Sequence, residues 1–232
     1  MRTLGMAALL AAGILTAGPG VVVAGAQTAC ADLGGTVDAD QICRVHAAEP
    51  SYTLDFGFPV DYPDQRALSD YLTQTRDGFV NVSEMPDSRD MPYALDARGT
   101  GYRSGQPPGR TQSVVFEVYQ NVGGPHPQTW YKAFNYDLVK GAPITYDTLF
   151  KPGTKPLDII FPAVQRELEK QTGIDQPISP GDGLDPSNYQ NFAVTDDAVI
   201  FFFGQGELLP GAAGATQASV PRTVLAPILA AP

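Results

Sequence analysis

Gln112-Ser-Val-Val-Phe-Glu-Val-Tyr-Gln120, then Asn121-Val-Gly-Gly-Pro-His126-Pro127, then Thr129-Trp-Tyr-Lys-Ala-Phe-Asn-Tyr136 is the stretch on which the fold turns. Its two flanks are rich in β-branched and aromatic side chains and too short to be ordinary helices. The glycine pair between them permits a tight reversal, and the prolines stiffen the exit. The stretch predicts an antiparallel hairpin with His126 near its tip. Downstream, Phe192-Ala-Val-Thr195 and Ala198-Val-Ile-Phe-Phe-Phe203 flank Asp196-Asp197 and predict a second hairpin, with Gln217–Val220 as a short edge strand.

Two segments carry the helical period. Leu68, Tyr71, Leu72, Thr75 and Phe79 share one face of a helix that opens near Tyr62-Pro-Asp64, with Asp61 as its expected cap. Leu157–Gln171 forms the second, with Ile160, Val164 and Leu168 inward and Gly173 as its stop. Ser51–Phe58 alternates as a half-buried strand, and a further strand lies within residues 91–104. The expected fold class is α+β: an antiparallel sheet of hairpins with two main helices packed on it, in a single domain spanning residues 27–232.

The N-terminus is read differently. Arg2 precedes an uncharged apolar or small run from Leu4 to Val23, followed by the small-residue patterns Val22-Val23-Ala24 and Ala24-Gly25-Ala26. This predicts a signal peptide over residues 1–26, cut after Ala24 or Ala26, and a secreted product with no stable membrane insertion after cleavage. Cys30 and Cys43, 13 positions apart, are expected to form a structural disulfide in an oxidising compartment.

Charge excludes one class of partner. With 15 Lys+Arg against 25 Asp+Glu, the formal net charge is -10 and the pI is near 4.5. A nucleic-acid protein needs basic neutralisation of phosphates, so none is expected to bind here. The same charge favours a soluble monomer. No cofactor or metal is expected.

Hydrolase motifs are missing: there is no Gly-x-Ser-x-Gly elbow, no His-Glu-x-x-His and no Ser-x-x-Lys. A triad would have to use His46 or His126. The polar residues around the hairpin tip instead suggest a binding site made of Tyr119, Asn121, Gly123, Gly124, His126, Asn135 and Asp137. The reading that follows is of a protein without enzymatic activity.

Several long motifs resemble a known family. Tyr62-Pro-Asp-Gln65, Val118-Tyr-Gln-Asn-Val-Gly-Gly-Pro-His-Pro127, Tyr131-Lys-Ala-Phe134, Pro143-Ile-Thr-Tyr-Asp-Thr-Leu149, Gly183-Leu-Asp-Pro-Ser-Asn-Tyr-Gln-Asn-Phe-Ala-Val194 and Gly206-Glu-Leu-Leu-Pro210 are similar to the mycobacterial secreted immunogenic protein family of the MPT-sixty-four type. More distantly, the Gly-Gly-x-His turn, Phe134-Asn-Tyr-Asp137 and the run from Phe201 to Gly214 resemble an extracytoplasmic domain of unknown function. That domain also occurs in lysozyme-sensing anti-sigma factors and beside peptidoglycan deacetylases. The resemblance implies export, an α+β fold, antigenicity, and recognition of a cell-wall glycan or of a wall or host protein. It supplies no catalytic residues. The expected function is that of a secreted immunogenic binding protein; the alternative is a cell-wall glycan hydrolase or esterase using His126 with an acidic neighbour.

Overall fold

A computed structural model of the chain describes residues 28–85, 93–106, 110–124, 126–173 and 177–230. The expected signal peptide lies outside these residues. A helical turn at residues 28–32 (α1) leads into β1 (Thr36–Val37), β2 (Ile42–Ala48) and β3 (Tyr52–Pro59). Helix α2 (Gln65–Ser83) connects β3 to the meander β4 (Tyr93–Ser104), β5 (Thr111–Asn121), β6 (Gln128–Asp137) and β7 (Ala142–Pro143). All seven strands join one sheet in sequence order. Beyond it come α3 (Tyr146–Leu149), α4 (Leu157–Thr172), α5 (Pro180–Gly183), β8 (Phe192–Val194), β9 (Ala198–Phe203), β10 (Thr216–Pro221) and α6 (Arg222–Leu225). The last three strands form a second sheet in the order β10-β9-β8.

The α+β class is as expected, and two details of the pairing are not. β3 and β4 run parallel, from Tyr52↔Tyr93 to Gly57↔Arg98, because α2 carries the chain back along the sheet before β4 begins. The two long helices do not share a sheet. On the larger sheet, Phe56, Phe58, Leu95, Val114, Phe116 and Val118 are buried with Leu68, Leu72 and Phe79 of α2. On the smaller one, Val199, Phe201, Phe203 and Val220 pack with Ile160, Val164 and Leu168 of α4. Between the sheets lie Val115, Ala193 and Phe202, with Tyr102, Tyr131, Ala133 and Ile200. The order of layers is helix, sheet, sheet, helix. β9 is apolar on both faces because both are covered.

Side-chain alternation explains the division. On β5 the even residues Val114, Phe116 and Val118 face α2, whereas Val115 faces the second sheet. Each large side chain buried this way contributes about 1.5–3 kcal/mol. Cys30 and Cys43 are disulfide-bonded as expected and sit in the core under α2's side of the sheet. The cap of α2 is Asp64, whose side chain accepts from the Ala67 N–H at 3.1 Å. Asp61 instead pairs with Arg103 Nη2 at 2.6 Å.

Candidate active site

The three-stranded sheet covers only part of the larger sheet's second face. At the β2–β4 end that face stays open, and strand register fixes what stands on it. His46 of β2 is directly opposite Asp55 of β3, Asp55 is opposite Asp96 of β4, and Asp96 is opposite Tyr119 of β5. In the adjacent row, Arg44 is opposite Gly57, Gly57 opposite Arg98, Arg98 opposite Glu117, and Glu117 opposite Tyr131. Alternation places all of these on one face, since their neighbours Val45, Phe56, Ala97 and Val118 are buried on the other. Arg44, His46, Asp55, Gly57, Asp96 and Arg98 line a polar depression of about 510 Å³.

At its centre His46 Nδ1 lies 2.7 Å from Asp55 Oδ1. A carboxylate only accepts, so Nδ1 carries the proton and Nε2 is left as the basic nitrogen. The two side chains are 66% and 54% exposed, open to a ligand from solvent. Burial and the Asp55 carboxylate push the Asp96 carboxyl above the usual range, and Arg98 opposes that rise. Arg44 donates through Nε to Asp38 Oδ2 at 3.0 Å, and its guanidinium lies over Gly57: a Cβ there would stand 3.1 Å from Arg44 Nη1. The Arg98 side chain forms no hydrogen bond and no ion pair within 4 Å among the described residues.

The residues expected at the hairpin tip are not all brought together. Tyr119 belongs to the open face through its register with Asp96. Asn121 Oδ1 accepts from the Gly123 N–H at 3.0 Å, and Gly123 takes φ +72° to close the turn, with Gly124 exposed beside it. His126 is exposed and has no hydrogen bond or ion pair among the described residues. Asn135 and Asp137 lie at the far end of β6, roughly 30 Å of extended strand from His126. Asn135 is buried between the sheets, donating to the Phe192 carbonyl at 2.8 Å. Asp137 caps the β6–β7 turn through the N–H groups of Val139 and Lys140.

His46 was named as a triad candidate but not joined to Asp55, because its strand was not predicted. The clue is the alternation of Cys43, Val45 and Ala47 with Arg44 and His46, which matches the alternation of Leu54, Phe56 and Phe58 across a short turn. Among the described residues, no group of three or more His, Cys, Asp or Glu side chains is placed to hold a metal ion.

Residues 147–223 match the family described as a protein of unknown function, DUF3298. The chain is 58% identical over 228 residues to the esterase Rv3036c of Mycobacterium tuberculosis, covering 98% of this chain and 99% of that one. It is 49% identical over 222 residues to the immunogenic protein MPT64 of the same species, covering 96% and 97%. A solved structure of a DUF3298 family member from Bacteroides fragilis superposes with a TM-score of 0.54 at 12% identity, over 82% of this chain and 92% of that one, and shares the fold. The likeness to a named esterase along nearly the whole chain overturns the expectation of a protein without enzymatic activity: an enzyme is indicated. The expectation rested on missing nucleophile motifs, and a histidine and carboxylate joined across a hairpin leave no such motif in the sequence. The chain belongs to the mycobacterial family of MPT64-type immunogenic proteins and carries its DUF3298 domain in the C-terminal half.

Proposed function

We propose that the protein is an exported ester hydrolase whose general base is His46, held in its working tautomer by Asp55. The observation that carries this reading is the 2.7 Å contact between His46 Nδ1 and Asp55 Oδ1 on an open polar face. The 58% identity to a named esterase supports the reaction class. Among the described residues lining the depression none is Ser, Thr or Cys, and the nucleophile in this reading is water.

In the reaction, water attacks the ester carbonyl as His46 Nε2 takes its proton, giving a tetrahedral oxyanion. Collapse breaks the bond to the alkoxy oxygen, which leaves with the proton returned by His46; the products are a carboxylic acid and an alcohol. Asp55 orients the ring and stabilises the imidazolium that forms in between. The signal peptide read in residues 1–26 supports export, and relatives named immunogenic proteins support a role in which the protein meets a host.

The test is hydrolysis of p-nitrophenyl esters by the exported chain. His46→Gln is expected to lower kcat by roughly 10²–10⁴-fold, and Asp55→Asn to lower it substantially, with unfolding midpoints near wild type. His126→Gln is expected to retain activity. Full turnover by His46→Gln would overturn the reading.

A further inference from the structure

The row next to His46 and Asp55 has a different chemistry. Two guanidinium groups flank a glycine: Arg44 from β2 and Arg98 from β4, register partners of Gly57 on either side. Without a Cβ at Gly57 the floor between them drops, and Arg44 leans into that space. Among the described residues only its Nε is engaged, by Asp38, which leaves its terminal nitrogens available. The Arg98 side chain lies in the same depression and donates to no side chain or carbonyl among the described residues. In a chain of net charge -10, one guanidinium over Gly57 and a second arginine on its other side, both lining the same depression, form a local cradle for an anion.

We infer that this cradle selects the substrate: the ester hydrolysed at His46 carries a free carboxylate, which sits over Gly57 between Arg44 and Arg98. The inference rests on the esterase reading and names its substrate class, the monoesters of dicarboxylic acids. The carboxylates of the described residues do not fill the cradle. Asp55 is bonded to His46 and Asp38 to the Nε of Arg44. Asp96 shares the depression and feels the charge of Arg98, but stands in the other row with no ion pair to it within 4 Å, and Glu117 makes none either. Gly57 is two residues along β3 from Asp55, roughly 6.6 Å in an extended strand. That is about the separation of the two carboxyl carbons in an extended adipate chain, so the ester carbonyl of an adipate monoester reaches His46 while its free end rests on the arginines.

Two p-nitrophenyl esters of matched length test this: the hydrogen adipate and the neutral heptanoate. The wild-type chain is expected to favour the adipate in kcat/KM by at least tenfold, a preference that falls as salt is raised. Arg98→Gln is expected to remove most of it through KM, with Arg98→Lys recovering part. Gly57→Val, which fills the cradle and leaves both charges, is expected to do the same. A preference that is absent in wild type, or unchanged in Arg98→Gln and Gly57→Val, would overturn the inference. Free adipate supplies a readout independent of turnover: it is expected to raise the unfolding midpoint of wild type and not of Arg98→Gln. Binding of adipate by a chain that hydrolyses neither ester would uphold the cradle and sink the esterase reading. Hydrolysis of both esters at one rate would do the reverse.

Discussion

Asp137 illustrates how a residue suited to ligand binding by its chemistry is used up by a turn. Its Oδ1 accepts from the Val139 and Lys140 N–H groups, each at 2.9 Å, and Lys140 Nζ lies 3.5 Å from Oδ2. Burial pushes the Asp137 carboxyl up, but those N–H groups and the ammonium outweigh it and hold the carboxyl below its ordinary value. Replacing it with Ala leaves two N–H groups without their acceptor, and Asp137→Ala is expected to lower stability by about 1.5–3 kcal/mol in urea unfolding at neutral pH. A lowered folded-state pKa stabilises above the ordinary carboxylate range and ceases to do so as pH falls through the lowered value. The gap between wild type and variant should therefore close on acidification below the ordinary range. A gap that stays constant with pH would show that the charge is not what Asp137 contributes.

At the scale of elements, much of the fold is readable because the signals are local. The stripe of Leu68, Leu72 and Phe79 marks α2, and the apolar run from Ala198 to Phe203 marks a strand buried on both sides. The parallel pairing of β3 and β4 has no local signal: it depends on which edge the chain reaches after a 19-residue helix. β2 is hard to read because its alternation is short and opens on a cysteine, so His46 could be named as a candidate but not placed opposite Asp55. Packing between elements is equally silent in sequence. Gly183, at the end of α5, lies against α4 so closely that a Cβ would come 2.2–2.5 Å from the Phe161 ring. Gly183→Ala must push that ring away, and is expected to cost about 1–3 kcal/mol, read as a lowered thermal midpoint. A companion change, Phe161→Leu, should recover part of the loss if the clash is its cause.

Across the whole molecule, the N-terminal segment is tied in by one covalent link. The Cys30–Cys43 disulfide joins α1 to β2 over a sequence separation of 13, and both sulfurs are buried beside Leu33 and Val45. Closing a loop of this size stabilises a fold by about 3 kcal/mol in the chain-entropy picture. The Cys30→Ala/Cys43→Ala double variant is expected to unfold at correspondingly lower denaturant. Because β2 carries His46, its ester hydrolysis should fail at a lower temperature than that of wild type. Unfolding curves that coincide with wild type would show that packing alone holds β2 in place. Function at this scale was the part least legible in the sequence. The wrong expectation of no activity came from seeking contiguous motifs, whereas the candidate base and its partner are nine residues apart and meet only through strand register.

The open face has a consequence for how activity is distributed among relatives. Every residue lining the depression falls between Arg44 and Arg98, and the match to DUF3298 begins only at residue 147. The shared domain contributes the second sheet and α4, the covering half of the molecule. Proteins that have that half in common can carry different chemistry, or none, on the strands it leaves bare. Arg44, His46 and Arg98 are exposed, so exchanging them would alter the proposed chemistry while leaving both cores in place. A protein named for immunogenicity and one named for esterase activity are both similar to this chain along nearly its whole length, and one scaffold of this kind accommodates both.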